Sequence, residues 1–104
     1  MKIRTDRLKS HAKEAAKLMK ALANPHRLMI LCELQKGERS VGTLLGLVGL
    51  QQSPLSQHLA KLRRDGLVAT RRESQTIYYS LADPGVTKLI GVLYDIYCPK
   101  PRRA

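Results

Sequence analysis

The chain has 104 residues, with 19 Lys and Arg against 8 Asp and Glu, for a formal net charge of +11. That length sets one domain over residues 1–104, with mobile ends at about 1–5 and 99–104, and it leaves room for only a modest core that a dimer would extend. With no Phe or Trp and four Tyr, that core must be aliphatic.

Solubility is served equally well by either sign of charge, so a positive excess this large points to a polyanionic partner, of which DNA is the commonest. The opening "MKIRTDRLKSHAKEAAK" is basic and amphipathic without the apolar stretch of a secretory signal, and "LMILC" is far too short to span a bilayer. A cytoplasmic protein with no membrane partner is expected. In that compartment Cys32 and Cys98 default to reduced thiols, and a pair able to couple is a sensor rather than a staple.

In chain order, Leu8, Ala12, Ala15, Met19 and Leu22 recur at three- and four-residue spacing, which predicts an amphipathic first helix. "ANPHRLMILCELQKG" predicts a second, with Asn24 as N-cap, Pro25 at the first helical position and Gly37 past the end. Its middle is apolar on nearly every side, so it is the expected buried helix. Ser40 opens a short third helix that stops at Gly49. "GLQQ" then turns into "SPLSQHLAKLRRDG", where Leu55, Leu59 and Leu62 form a stripe and Gly66 ends the helix. Two short helices joined by a tight glycine-containing turn make a helix-turn-helix. "LVATRR" and "TIYYSL" alternate apolar and polar residues around the loop "ESQ", predicting a β-hairpin with Ile77, Tyr79 and Leu81 on one face. Asp83 caps and Pro84 begins a last helix whose stripe, Val86, Leu89, Ile90, Leu93, Ile96 and Tyr97, is wide enough to serve a partner chain. The order helix-helix-helix-helix-strand-strand-helix is a mainly α (α+β) winged helix-turn-helix.

"LANPHRLMIL", "SPLSQHLAKLRRDGLVATRRESQTIYYSL" and "LYDIYC" resemble the ArsR/SmtB family of bacterial repressors over roughly residues 8 to 98. The resemblance implies a homodimer through the first and last helices that presents two recognition helices to a partly palindromic operator. It also implies where metal sensing would sit, and neither place is intact. Ser40 and Gly42 stand where the arsenic and cadmium branch has thiols, Gly85 stands two residues after Asp83 where the zinc site of the last helix needs a histidine, and no histidine comes after His58. No metal or other cofactor is expected. Cys32 and Cys98 match instead the two positions of the sulfide-responsive dithiol branch, which implies a thiol pair that answers reactive sulfur or oxidant species by forming a disulfide or polysulfide bridge.

On the predicted recognition helix, Gln52, Ser53, Ser56, Gln57 and His58 occupy the early turns from which side chains reach base edges, although Ser53 before Pro54 also reads as an N-cap. The family has a small polar cap two residues earlier, where this chain has Gln51. Lys61, Arg63 and Arg64 continue the helix, and Arg71 and Arg72 lie on the wing, placed for phosphates or the minor groove; the competing reading of such a run is a solvated face. His11 and His26 read as surface residues, and Tyr78, Tyr79, Tyr94 and Tyr97 as wing and interface packing. No acid pair, Ser-His-Asp set, phosphate loop or C-x-x-C is present, so an enzyme is not expected. A nonspecific nucleic-acid-binding protein would account for the charge but not for the polar recognition helix or the thiols. A regulator that answers an unfamiliar metal site, or no ligand, is the alternative within the family.

Overall fold

The computed structural model describes residues 2–98. Helices α1 (Thr5–Lys9), α2 (Ala12–Leu22) and α3 (Pro25–Gln35) lead into a two-residue strand β1 (Arg39–Ser40). Helices α4 (Val41–Val48) and α5 (Gln52–Arg64), strands β2 (Val68–Glu73) and β3 (Thr76–Leu81) and helix α6 (Pro84–Tyr97) complete the chain. The three strands form an antiparallel sheet in the order β1-β3-β2. This is a winged helix-turn-helix, with α4 and α5 as the motif and the β2-β3 hairpin as the wing. Among the described residues no helix is long and apolar enough to cross a membrane. The mobile tail expected at 99–104 lies outside the described residues.

Helix boundaries follow local chemistry. The Asn24 side chain accepts from the backbone N–H groups of His26 (2.9 Å) and Arg27 (3.1 Å), with Pro25 in the first turn, where a missing N–H costs nothing. Arg27 then turns back, its Nε donating to the Ala21 carbonyl (2.8 Å) and its Nη2 to that of Lys20 (3.1 Å). One side chain thereby satisfies the Ala21 carbonyl at the end of α2, shares that of Lys20 with the Ala23 N–H (3.2 Å) and fixes the α2-α3 corner. Ser40 caps α4 through the Thr43 N–H (3.2 Å), and Asp83 caps α6 through the Gly85 N–H (2.8 Å). At the end of α5 the Gly66 N–H donates to the Arg63 carbonyl and the Leu67 N–H to that of Leu62, each at 3.0 Å. That pairing needs a left-handed residue, and Gly66 takes φ 74° there without a Cβ clash. It also drives Leu67 into the core.

Three features differ from the sequence reading. The first predicted helix is two, because the Ser10 hydroxyl donates to the Arg7 carbonyl (2.8 Å) and takes an acceptor from the next turn, while α1 buries nothing that would hold the helix straight. Strand β1 is additional; two residues are too few to show a period. Helix α5 starts one residue before Ser53: Gln51 takes the extended cap conformation without a side-chain cap bond, and Pro54 falls in the first turn.

The core is aliphatic, as the composition requires: Ile30, Leu31, Leu44, Leu55, Leu59, Leu62 and Val86 are fully buried. Leu59→Ala should therefore lower unfolding stability by about 2–5 kcal/mol, and Asn24→Ala by about 1 kcal/mol through the lost cap. Urea denaturation measures both, and a near-zero loss for Asn24→Ala would assign the corner to Arg27 alone.

Candidate DNA-reading face and dithiol groove

Helix α5 turns Leu55, Leu59 and Leu62 inward against α3, and the 3.6-residue period leaves Gln52, Ser53, Ser56, Gln57, Arg63 and Arg64 exposed on its other side. These side chains share one solvent-facing surface that the other described residues leave exposed.

His58 and Lys61 stand apart from that surface. His58 is half-buried, its ring centroid 6.0 Å from that of His26 at the start of α3. Burial first, then the positive charge of Arg27 and the neighbouring His26, push its pKa below the usual histidine range, so the ring stays neutral to lower pH than a free imidazole. Lys61 forms an ion pair with Asp65 at 3.5 Å, and Asp65 also meets Lys17 at 3.9 Å.

The two wing arginines are treated very differently. Arg71 donates from Nε and Nη2 to the two carboxylate oxygens of Glu38, at 2.8 and 2.7 Å, and from Nη1 to Glu73 at 2.8 Å. Its guanidinium lies 4.5 Å over the Tyr78 ring. Hydrogen bonding by Arg71 holds the Glu38 carboxyl below the usual carboxylate range, and Glu38 and Glu73 in turn raise the pKa of Arg71. Arg72 is exposed and makes no ion pair among the described residues. Glu38 was not a sequence candidate, and a lone acid 33 residues from its arginine gives no local signal. The His26-His58 pairing was invisible for the same reason.

On the other side of α3, Cys32 and Cys98 line one groove of about 690 Å³ between α3 and α6, together with Leu28, Met29, Leu93, Tyr94 and Tyr97. Cys32 is half-buried, Cys98 is the exposed C-cap residue of α6, and both are free thiols. Burial raises the pKa of Cys32, the Glu33 charge adds to the rise and Lys36 opposes it. Next to the groove α6 exposes Val92 and Ile96, and the groove residues Tyr94 and Tyr97 are themselves 64% and 77% exposed. No group of three or more His, Cys, Asp or Glu able to hold a metal ion occurs among the described residues.

The family described as "Bacterial regulatory protein, arsR family" matches residues 24–70, from the cap of α3 to the first half of β2. The nodulation protein NolR of Rhizobium meliloti is 56% identical over 86 residues, which are 83% of this chain and 70% of NolR. The structure of the transcriptional repressor BigR from Xylella fastidiosa superposes with a TM-score of 0.90 at 40% identity, covering 94% of this chain and 100% of BigR. Reduced HlyU from Vibrio cholerae superposes with a TM-score of 0.83 at 49% identity, over 88% of this chain and 97% of HlyU. Fold, helix-turn-helix and relatives agree, and this chain belongs to the ArsR family of bacterial DNA-binding transcriptional regulators.

Proposed function

We propose that this regulator is a homodimeric repressor whose hold on its operator is released when Cys32 and Cys98 are joined by a reactive sulfur species or another oxidant. The observation that carries the proposal is that two free thiols, from segments far apart along the chain, line the same groove between α3 and α6. That one relative has been solved in a form described as reduced supports thiol chemistry in this group of proteins.

The apolar face of α6, with Val92, Tyr94, Ile96 and Tyr97 outward, is the natural seat of a second copy, together with Leu8 and Met19 of the first two helices. Two copies present two α5 helices to successive major grooves. Gln52, Ser53, Ser56 and Gln57 read base edges there, while Arg64 and Arg72 hold phosphates. His58, packed on His26, and Lys61, paired with Asp65, support the helix from behind.

In the inducing step, a cysteine thiolate attacks the outer sulfur of a persulfide RSSH and releases RSH, leaving a cysteine persulfide. The second thiol attacks the protein-bound sulfur of that persulfide and releases hydrogen sulfide. The sum is two thiols plus RSSH giving a disulfide, RSH and hydrogen sulfide; a second RSSH inserts one further sulfur and releases a second RSH. A direct bridge needs α-carbons about 4.4–6.8 Å apart, and added sulfur lengthens that reach. Because α6 carries both Cys98 and the dimer face, tying it to α3 changes the spacing of the two recognition helices.

Persulfide treatment should abolish operator binding by the parent protein and leave Cys32→Ser and Cys98→Ser bound, with mass spectrometry finding the bridge only in the parent; two unmodified thiols with intact DNA binding would refute the sensor. Cys98, exposed, should be alkylated by iodoacetamide faster than Cys32, whose raised pKa keeps it protonated, and the Cys32 rate should climb as pH rises toward that value. Arg72→Ala should weaken operator and nonspecific DNA alike and reduce the salt slope by about 0.9 for each phosphate that the wing no longer neutralises; an unchanged salt titration would remove the wing from the interface.

A further inference from the structure

We propose that Glu38, an acidic side chain in a strongly basic protein, is a positioning residue for operator binding that acts through Arg71 by fixing the angle of the wing. The proposal rests on the reading of the wing as part of the DNA interface.

The sheet itself gives the wing a slender attachment. Strand β1 pairs with β3 over only two positions, Arg39 with Tyr79 and Ser40 with Tyr78. Tyr78 lies between Ser40 on one side and Arg71 on the other, since β2 pairs Arg71 with Tyr78. The Arg71 side chain crosses β3 over the Tyr78 ring and closes a two-pronged grip on Glu38, just before β1. One side chain thus staples all three strands on one face and ties the hairpin to the segment leaving α3. The planar guanidinium fork is what makes this possible; an ammonium group offers no matched pair of donors.

The charge balance points the same way. One guanidinium shared by Glu38 and Glu73 leaves the cluster with a net charge of about −1 at neutral pH, so Arg71 is a poor phosphate ligand, whereas Arg72 beside it is open. By charge alone, removing Glu38 would tighten binding to a polyanion. If Glu38 sets the wing, removing it weakens recognition of the operator instead, and the two expectations have opposite signs.

The test compares Glu38→Gln, Arg71→Lys and Arg72→Ala as full-length reduced protein, titrated with operator and with unrelated duplex over a range of salt. Glu38→Gln raises the net charge by one from +11 yet should lose about three- to fivefold in operator affinity, with an unchanged salt slope and no loss on unrelated duplex. Arg71→Lys, which keeps the charge and loses the fork, should lose a similar amount. The Arg71 Nε–H resonance should stay in place when wild-type protein binds operator. Operator affinity that is kept or tightened in Glu38→Gln, wild-type affinity in Arg71→Lys, or a displaced Nε–H resonance on binding would each overturn the clamp. Where Arg72→Ala alone leaves operator binding intact, it is the wing interface that fails, and an operator loss in Glu38→Gln would then have to come from elsewhere, which also overturns the clamp.

Discussion

Helix α3 is the constraint on which the rest of the molecule depends. It packs against α2, α4, α5, α6 and β3, and it buries Ile30, Leu31 and Leu34 in doing so. A chain without Phe or Trp has to fill its centre with branched aliphatic side chains, and an apolar helix touched on most sides meets that need. The same helix has two working edges. Its His26 end supports α5 through His58, and its Cys32 and Met29 side lines the groove shared with α6. Movement of α6 against α3 therefore has a packed route to the recognition helix, because interlocked aliphatic side chains do not deform independently.

What could be read from the sequence was whatever has a short-range cause. Asn24 with Pro25, Ser40, and Asp83 with Pro84 announce helix starts because the capping partner is only two or three residues away. Leu55, Leu59 and Leu62 mark the inner side of α5 by period, and so mark Gln52, Ser53, Ser56 and Gln57 as outer. The break at Ser10 was hidden, since the apolar period runs through it and one hydroxyl bond to the Arg7 carbonyl decides the matter. Gln51 as cap leaves no compositional trace, because it makes no side-chain bond, and only the family resemblance pointed to that position. Tertiary partners were beyond reach: nothing near Arg71 predicts Glu38, and nothing near His58 predicts His26.

That difference matters most for the charges. Read along the chain, "TRRES" offers two equivalent wing arginines. In the fold, strand alternation sends them to opposite faces of the hairpin, Arg71 beside Tyr78 and Arg72 level with Ile77. One meets two carboxylates and the other meets solvent. Net charge thus describes the attraction of the whole molecule to a polyanion, while the role of a given cation depends on which acids the fold has placed against it.

The thiols show the same division within one groove. Cys32 sits where burial and Glu33 disfavour the thiolate, and Cys98 sits at the open end of α6. A pair of equally exposed thiolates would react with any oxidant and with other chains; a pair of equally buried thiols would react with none. Under the proposed sensing, one accessible thiol in the same groove as one sheltered thiol favours a sequence in which the outer sulfur is modified first and the inner one completes the bridge within the same subunit. Because Cys98 ends the helix that also carries the exposed apolar face, the proposed chemistry at that sulfur and the proposed subunit pairing act on one and the same element.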